Sequence, residues 1–490
     1  MSSLRLRYGY LAAFGSRSRL HRKGNLAVRF FIILAVVASA LAAGAACAQE
    51  SPLSTLSLRD AVSTALGDNP SLRQAQEGYL SAESRLRVAG LETTYGLGGR
   101  TRFEDSPTDS GVSGSIFGSL EYENLLGTSA SVEFSPLGIG GDRGSIGLSI
   151  RHPLRSGSGR LSSKSDLLLG ARSSVAIQSK ELYRSRQATV VAVVEAYYQA
   201  VLAQERIKVQ EAAVKIAEEA LYGARRREEA RLVTGIEVSR AETNLAQTRD
   251  TLNLQHQSAK GALDRLMLAI GVGIGWTPEL TDRLPEAMSD LPDLNTAIKA
   301  ALGNRAELTV YDQRLVDQER RLAIASDELR SRLDAVMGYQ SRTAASGLAS
   351  PSMFDSGSLI AGVEFTFPLD KRIGLESRDT ASRELDLLKE LRDYRADQVV
   401  EEVRRAYRSL QSAEASLNIY SQNLEAAQTQ LHLAQRMVEE GEGSNREVLD
   451  AQNALTRVES GVLSARADLY LAGLDLLYAM GEDLTTVVMK

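Results

Sequence analysis

Apolar residues in the C-terminal part of the chain recur at alternating intervals of four and three residues. This is the heptad spacing of helices that pack along a shared seam. It extends over residues 399–438 and again over residues 448–479. The same register appears 210 residues earlier, over residues 238–269. Many seam positions are alanine, so the pattern predicts long helices whose axes approach closely.

A second repeat has an offset of 236 residues. The sequence from Leu58 reads LxxAVxxALGDNPxLRxAQ, and the sequence from Leu294 reads LxxAIxxALGNRAELxVYD. A unit this long that occurs only twice is not the short period of a solenoid. The chain is therefore predicted to contain two similar structural halves.

Helical spacing predicts six helical segments, three in each half. The two longest have about 70 residues, which corresponds to about 100 Å at 1.5 Å per residue. The other four have roughly 35 residues, so two short helices stacked end to end match one long helix. In the first half the predicted segments are 57–92, 161–232 and a third that follows the turn after 232 and ends at 270. In the second half they are 294–330, 374–439 and a third that follows the turn after 439 and ends at 481.

Residues 95–153 are rich in glycine, serine and threonine and alternate between polar and apolar side chains, which indicates strands. Four such runs occur there (YGLGGRTRF, SIFGSLEY, SASVEF and SIGLSIRHPL), and the second half has LDAVMGYQSR and SLIAGVEFTFPL. Two to four short strands per half are too few to close a barrel, and open sheet edges promote aggregation. Several copies of the chain are therefore expected to share one barrel, which is an architecture that crosses lipid bilayers.

The N-terminus has the three parts of a secretory signal peptide, predicted at residues 1–48. A basic stretch precedes an apolar run, and Ala46-Cys47-Ala48 offers a cleavage site. Cys47 is the only cysteine and leaves two alternatives, cleavage after Ala48 or lipidation of Cys47. In either case the mature chain has no disulfide. Removing residues 1–48 removes seven basic residues and no acid, which changes the formal net charge from −5 to −12 and argues against nucleic acid as a partner.

The sequence offers no support for an enzyme, a cofactor site or a metal site. Its four histidines are scattered, and no HExxH motif, phosphate-binding loop or plausible triad occurs. The glycine-rich run at residues 271–275 follows a helix rather than a strand, which excludes a dinucleotide-binding turn. Beyond the signal peptide no run of 18 apolar residues predicts a transmembrane helix. An exported protein of this kind is left with two destinations, the periplasm or an outer membrane crossed by strands.

The ordered, duplicated motifs resemble the outer-membrane efflux proteins of the TolC family. The resemblance rests on four sequence features: the LxxAVxxALxxNP motif at Leu58, its partner at Leu294, the HPL and FPL segments that end the strand blocks, and EVLDAQNAL from Glu447. The resemblance implies a mainly α-helical fold with a β-barrel portion. It also implies that three copies with four strands each form a 12-stranded outer-membrane barrel, continued by a periplasmic coiled-coil barrel. Two departures are Arg305-Ala306 in place of Asn-Pro and an extra hairpin at 115–135, either an extracellular loop or a lengthened barrel strand.

The resemblance also implies two kinds of site. An acidic pair after the second helical turn narrows the periplasmic entrance in the family, and Glu447 and Asp450 occupy that place, with Glu237 at the related place in the first half. A competing interpretation is that these acids only complement a helix dipole. The helix tips dock a periplasmic adaptor in the family. The corresponding residues are Val233, Thr234, Gly235, Gly441 and Gly443, whose glycines also suit helix termination.

The predicted organisation is a signal peptide (1–48), a first repeat (49–275), a linker (276–293) and a second repeat (294–490). The predicted function is a homotrimeric exit duct with an acidic aperture, in the outer membrane of a Gram-negative bacterium. Its partners are an adaptor, an inner-membrane pump and outer-membrane lipid, and its substrate is open, from small molecules to proteins. The alternative is a periplasmic coiled-coil scaffold or adhesin stalk without a channel.

Overall fold

The structure is a computed structural model. The predicted signal peptide, Cys47 and Gly441 lie outside the residues that it describes. Those residues are 55–106, 109–139, 145–285, 288, 291–342, 357–440 and 442–488.

The helices confirm the duplication seen in the sequence. The first and fifth helices have 11 residues each, the fourth and eighth 36 each, and the third and seventh 67 and 68. None of the described helices is both long and apolar enough to cross a bilayer. In chain order they are α1 (Leu58–Asp68), α2 (Pro70–Ala89), α3 (Ser163–Glu229), α4 (Gly235–Ile270), α5 (Leu294–Asn304), α6 (Ala306–Glu328), α7 (Arg372–Glu439), α8 (Asn445–Met480) and α9 (Leu484–Val488).

The prediction of one continuous helix over 294–330 is wrong at Arg305. This residue adopts an extended conformation (φ −63°, ψ 120°) that separates α5 from α6, just as Asn69 (φ −63°, ψ 123°) separates α1 from α2. Asn69 caps α2 with its side-chain oxygen, so this break is encoded by residues close together in the sequence. Arg305 cannot accept such bonds, and its guanidinium instead reaches the Tyr478 carbonyl and Glu402. The second break therefore depends on tertiary contacts.

Each break packs against a glycine that follows the second helix of a long hairpin, α4 or α8. Gly271 follows α4 with φ 92°, and Gly481 follows α8 with φ 76°, both in the left-handed region that favours glycine. A Cβ on Gly271 would lie 2.8 Å from the Cα of Asn69, and one on Gly481 would lie 3.2 Å from the backbone nitrogen of Arg305. The same joint is thus built in both halves.

The longer strands form one antiparallel sheet whose order is β2-β3-β4-β5-β7-β8. A separate short pair, β1 with β6, is parallel. The strands are β1 (Thr55–Leu56), β2 (Thr93–Ser106), β3 (Asp109–Glu123), β4 (Ser129–Ile139), β5 (Ser145–Pro153), β6 (Glu279–Leu280), β7 (Arg332–Arg342) and β8 (Ser358–Thr366).

The sheet of one chain has six strands, which corrects the expected four per chain. The predicted extra hairpin at 115–135 is part of the sheet, because β3 pairs with β4 from Glu123↔Ser129 to Gly114↔Ile139. Its turn lies at the helical end of the sheet, where the Leu125 carbonyl accepts hydrogen bonds of 3.0 Å from the hydroxyls of Ser162 and Ser165. Of the two predicted alternatives, pairing within the sheet agrees with a strand and not with a loop outside it.

Antiparallel register and period-two alternation divide the sheet into two faces. Most of the large side chains of one face are solvent-exposed in the single chain, with Leu97 83% and Leu359 73% exposed. This apolar face consists of Tyr95, Leu97, Leu120, Val132, Phe134, Leu148, Ile150, Met337, Leu359, Val363 and Phe365. The opposite, polar face includes Thr94, Glu121, Glu123, Ser129, Glu133, Ser149, Arg151, Arg332, Asp334, Glu364 and Thr366.

Two phenylalanine rings cover glycines across neighbouring strands. A Cβ on Gly98 would overlap the ring of Phe117, and a Cβ on Gly118 would overlap the ring of Phe134. Because Gly98 is opposite Phe117 and Gly118 is opposite Phe134, the two pairs lie on opposite faces of the sheet. They favour the observed register of β2, β3 and β4.

The helices enclose a core centred on Tyr197 of α3, which is fully buried. Its hydroxyl lies 3.0 Å from the Leu56 carbonyl oxygen and 3.1 Å from Asp282 Oδ2. The same Asp282 oxygen accepts from the backbone N–H of Leu58 at 2.7 Å, at the start of α1. Burial raises the pKa of Tyr197 to about 12. The predicted linker therefore packs on the first repeat, while the predicted repeat boundaries stay a prediction.

Candidate functional site

The turn between α7 and α8 holds the predicted acidic pair. Glu447 is the third residue of α8, and its carboxylate accepts a 3.0 Å hydrogen bond from the backbone N–H of Ser444. The Ser444 side chain accepts in return from the Glu447 backbone, which completes a capping box. Glu447 thus has a structural role at the helix start, as the competing dipole interpretation expects.

Asp450 lies one turn further along α8 on the same side as Glu447. Its carboxylate is 69% exposed and 3.6 Å from the guanidinium of Arg446. An exposed ion pair of this kind contributes little to stability. Both acids line an open groove with Thr429 and Met437 of α7. Asp450 is therefore the acid of the pair whose carboxylate has no capping role.

The corresponding acid of the first half is Glu237, near the start of α4. It pairs with Arg240 at 3.1 Å, one turn along the helix. Its position in the first turn also complements the helix dipole. Glu237 belongs to the first helix tip, whereas Glu447 and Asp450 line one groove at the second.

The first helix tip is apolar and lacks a side-chain cap. Leu232 and Ile236 are 74% and 63% exposed. Thr234 precedes α4 without a side-chain capping bond. Arg231 has φ 59°, a left-handed conformation that costs about 1–2 kcal/mol for a residue with a Cβ. The predicted docking residues Val233–Gly235 therefore lie on an exposed turn.

The second tip requires glycine at position 443. A Cβ there would lie 2.8 Å from the Met437 Cβ and 3.0 Å from its carbonyl carbon, both in the last turns of α7. At Gly235 the nearest atom is the carboxylate end of Glu228, a flexible side chain. Close backbone packing therefore explains Gly443 better than Gly235.

A charged cluster on the polar face of the sheet was not predicted. Asp334 is 1% exposed and accepts 2.8 Å bonds from the guanidinium groups of Arg151 and Arg332. Arg151 also lies 2.8 Å from the Glu364 carboxylate. One Asp334 oxygen is buried without a hydrogen-bond partner. The sequence signal for this cluster was the strand-like alternation from Arg332 onward, which places Arg332, Asp334 and Val336 on one face of the sheet.

Two acids of α8 have raised pKa values, although neither side chain is fully buried. Burial raises the pKa of Asp475, and the negative charge of Glu195 adds to this effect. Burial also raises the pKa of Glu459. No group of three or more His, Cys, Asp or Glu side chains suited to a metal ion occurs in the described ranges.

Comparison with known proteins gives a family match over both halves. The model of the outer membrane efflux protein family matches residues 127–272 and 297–482, more than half of the chain. The first match begins after β3, so it omits β2 and β3. None of the curated protein sequences compared with the chain matches it.

Solved outer-membrane channels share the fold. CusC is 16% identical with a TM-score of 0.67, over 89% of this chain and 96% of its own. The outer membrane protein VceC of Vibrio cholerae is 17% identical with a TM-score of 0.67, over 87% and 96%. The Campylobacter jejuni outer membrane channel CmeC is 14% identical with a TM-score of 0.67, over 88% of both chains. With the family match over both halves, these likenesses identify the chain as a member of the outer membrane efflux protein family.

Proposed function

We propose that this protein is the outer-membrane exit duct of a tripartite export system. The observation that carries the proposal is the two-faced sheet joined to a duplicated helical column. An apolar face suits lipid, and a polar face suits a water-filled lumen. The family match supports the same role.

The duct is formed by three copies of the chain. Within one chain the sheet has two edges, at β2 and β8. Such edges attract further strands, and a closed barrel removes them. The α-helical column continues the barrel into the periplasm, where its coiled-coil seams pack closely through alanine. The protein accordingly resides in the outer membrane of a Gram-negative bacterium.

The periplasmic end of the duct is an acidic aperture. Asp450 is the principal ring residue, because its carboxylate is exposed and has no capping role. Glu447 and Glu237 add negative charge from their helix starts. A threefold axis repeats each carboxylate three times in one constriction, which favours cations and repels anions.

A periplasmic adaptor docks at the helix tips and connects the duct to an inner-membrane pump. The exposed Leu232 and Ile236 supply apolar contact area at one tip. At the second tip, Gly443 allows the close turn between α7 and α8. Energy and substrate selection come from the pump, so the duct itself is passive and carries no catalytic site.

The experiment that tests the duct is outer-membrane fractionation combined with single-channel recording of the purified protein. A trimer in the outer-membrane fraction that forms discrete conductance steps is expected. A periplasmic protein that forms no pore would instead support the alternative, a coiled-coil scaffold or adhesin stalk.

A further inference from the structure

We infer that all six strands of each chain form the barrel wall, so that β8 of one copy pairs with β2 of the next and three copies close a barrel of eighteen strands. The inference rests on the proposed trimeric duct. It concerns the hairpin formed by β2 and β3, which precedes the first segment matched by the family model. Without that hairpin, β4, β5, β7 and β8 would close a barrel of twelve.

The edge of β4 is already occupied within the chain. A twelve-stranded barrel requires β8 of a neighbouring copy to pair with β4. In the structure β3 pairs with β4 along most of its length, from Ser129 to Ile139. β2 then pairs with β3 from Thr93 to Ser106, so the free edge of the sheet is β2.

The hairpin is fixed at the base of the sheet. Besides the bonds from Ser162 and Ser165 to the Leu125 carbonyl, the backbone N–H of Gly159 donates to the Leu126 carbonyl at 3.2 Å. Lys164 donates to the Leu91 carbonyl, between α2 and β2. Both ends of the β2–β3 unit are thereby held by the start of α3. A loop that merely decorates the extracellular mouth would not be attached at this end.

The hairpin has the two faces that a membrane wall requires. Tyr95 and Leu97 of β2 continue the apolar face, and they are 80% and 83% exposed in the single chain. Thr94 of β2 and Glu121 of β3 lie on the polar face. Lipid contact would cover this apolar surface, whereas a hairpin standing in water would leave it exposed.

Strand direction is also compatible with closure at β2. β2 begins at the helical end of the sheet, three residues after the Gly90 that ends α2, and β8 returns to that end before α7. An even number of strands per copy therefore makes the β8–β2 contact antiparallel, as all other contacts in the sheet are. Barrel diameter grows roughly linearly with strand number, so the lumen is about 1.5 times as wide as with twelve strands.

Cysteine cross-linking between copies separates the two closures. Thr94, Ser129 and Thr366 lie on the polar face at the helical ends of β2, β4 and β8. Eighteen strands place Thr366 of one copy beside Thr94 of the next, and twelve place it beside Ser129. A bismaleimide spanning roughly 8 Å reaches one strand spacing of about 4.8 Å but not the three spacings to the other target.

The double variant Thr94→Cys/Thr366→Cys is expected to give covalent dimers and trimers, and Ser129→Cys/Thr366→Cys is expected to give monomers only. The three single variants provide the background, because Cys47 is the only other cysteine of the sequence. Cross-linking through Ser129→Cys instead of Thr94→Cys, in a protein that is trimeric and conducts, would overturn the eighteen-stranded wall and leave the duct intact. If the purified protein forms no trimers or shows no conductance, the result contradicts both the proposed function and this inference.

Discussion

The side-chain amide of Asn69 donates a 2.7 Å hydrogen bond to the carbonyl oxygen of Ala269, and thereby ties the first short helix pair to the end of α4. In the second half Arg305 occupies the equivalent position and reaches the carbonyl of Tyr478 at 3.4 Å. The duplication seen in the sequence is thus a duplicated joint, made once with a neutral amide and once with a charged guanidinium.

Replacing Asn69 by Ala is expected to lower the free energy of unfolding by about 1–2 kcal/mol, because it removes both the cap of α2 and the bond to Ala269. Denaturant unfolding of the variant measures this loss. Asn253→Ala, at an exposed position of α4, is the matched control and is expected to have little effect. Equal losses in the two variants would show that the joint contributes no stability.

Gly443→Ala is expected to destabilise the second helix tip by about 1–3 kcal/mol, because its Cβ would overlap the Met437 backbone. Gly235→Ala meets only the flexible end of Glu228 and is expected to change stability by about 0.5 kcal/mol or less. Unfolding experiments and binding of the purified adaptor measure the two effects. Reduced adaptor binding in Gly235→Ala at unchanged stability would instead identify direct contact at the first tip.

Asp450→Asn is expected to weaken channel block by multivalent cations, since it removes three carboxylates from the proposed aperture. A tenfold rise in the blocking concentration corresponds to about 1.4 kcal/mol. Glu447→Gln removes charge but keeps a residue that can complete the capping box. Single-channel recordings of both variants, with Asp250→Asn as a control on α4, measure the contribution of each acid. Unchanged block in Asp450→Asn would remove that residue from the aperture.

Asp475 is expected to make stability depend on pH. Its pKa is raised in the folded protein, mainly by burial, so the folded state binds its proton more tightly than the unfolded state does. Its contribution to stability is therefore greatest below the pKa of the unfolded chain, and is lost as pH rises through the raised pKa. Asp475→Asn is expected to flatten this part of the stability–pH curve and to be stabilising at neutral pH. A curve that keeps its shape would contradict this assignment.

The polar face of β3 and β4 carries Glu121, Glu123 and Glu133, which repeat in each copy of the chain. If β2 to β4 line the lumen, the variant with all three changed to Gln is expected to have a reduced preference for cations over anions. Reversal potentials in a salt gradient measure this preference. Glu77→Gln on α2 is the control for loss of a carboxylate outside the sheet.

Much of the helical architecture could be predicted from the sequence, because heptad spacing and proline-free stretches are local signals. The long helices end within a few residues of the predicted bounds. The break at Arg305 could not be predicted in this way. Unlike Asn69, which has a capping side chain and a following proline, Arg305 has partners more than 90 residues away.

The sheet was predicted strand by strand, yet its strand count was misjudged. Alternation identified all six runs, but the resemblance to four-stranded relatives directed attention to a hairpin at 115–135. Pairing partners depend on register across the sheet, and no local pattern distinguishes an added wall strand from a surface loop. The predicted tip residues Val233, Thr234, Gly235 and Gly443 lie at the turns between the long helices, and whether the acids form a ring depends on contacts between copies.

The glycine–phenylalanine pairs on opposite faces of the sheet restrict how strands β2, β3 and β4 can change in length. In the regular parts of the strands, Gly98 stays opposite Phe117 and Gly118 opposite Phe134 only while insertions come in twos, because a single inserted residue would turn the following side chains to the other face. The sheet takes up one extra residue of β4 in the irregularity between Ile116 and Gly118, so a single insertion requires a bulge of this kind. An insertion without a bulge adds two residues to a strand and two to its partner, and changes the height of the wall by about 7 Å, two residues at about 3.4 Å each.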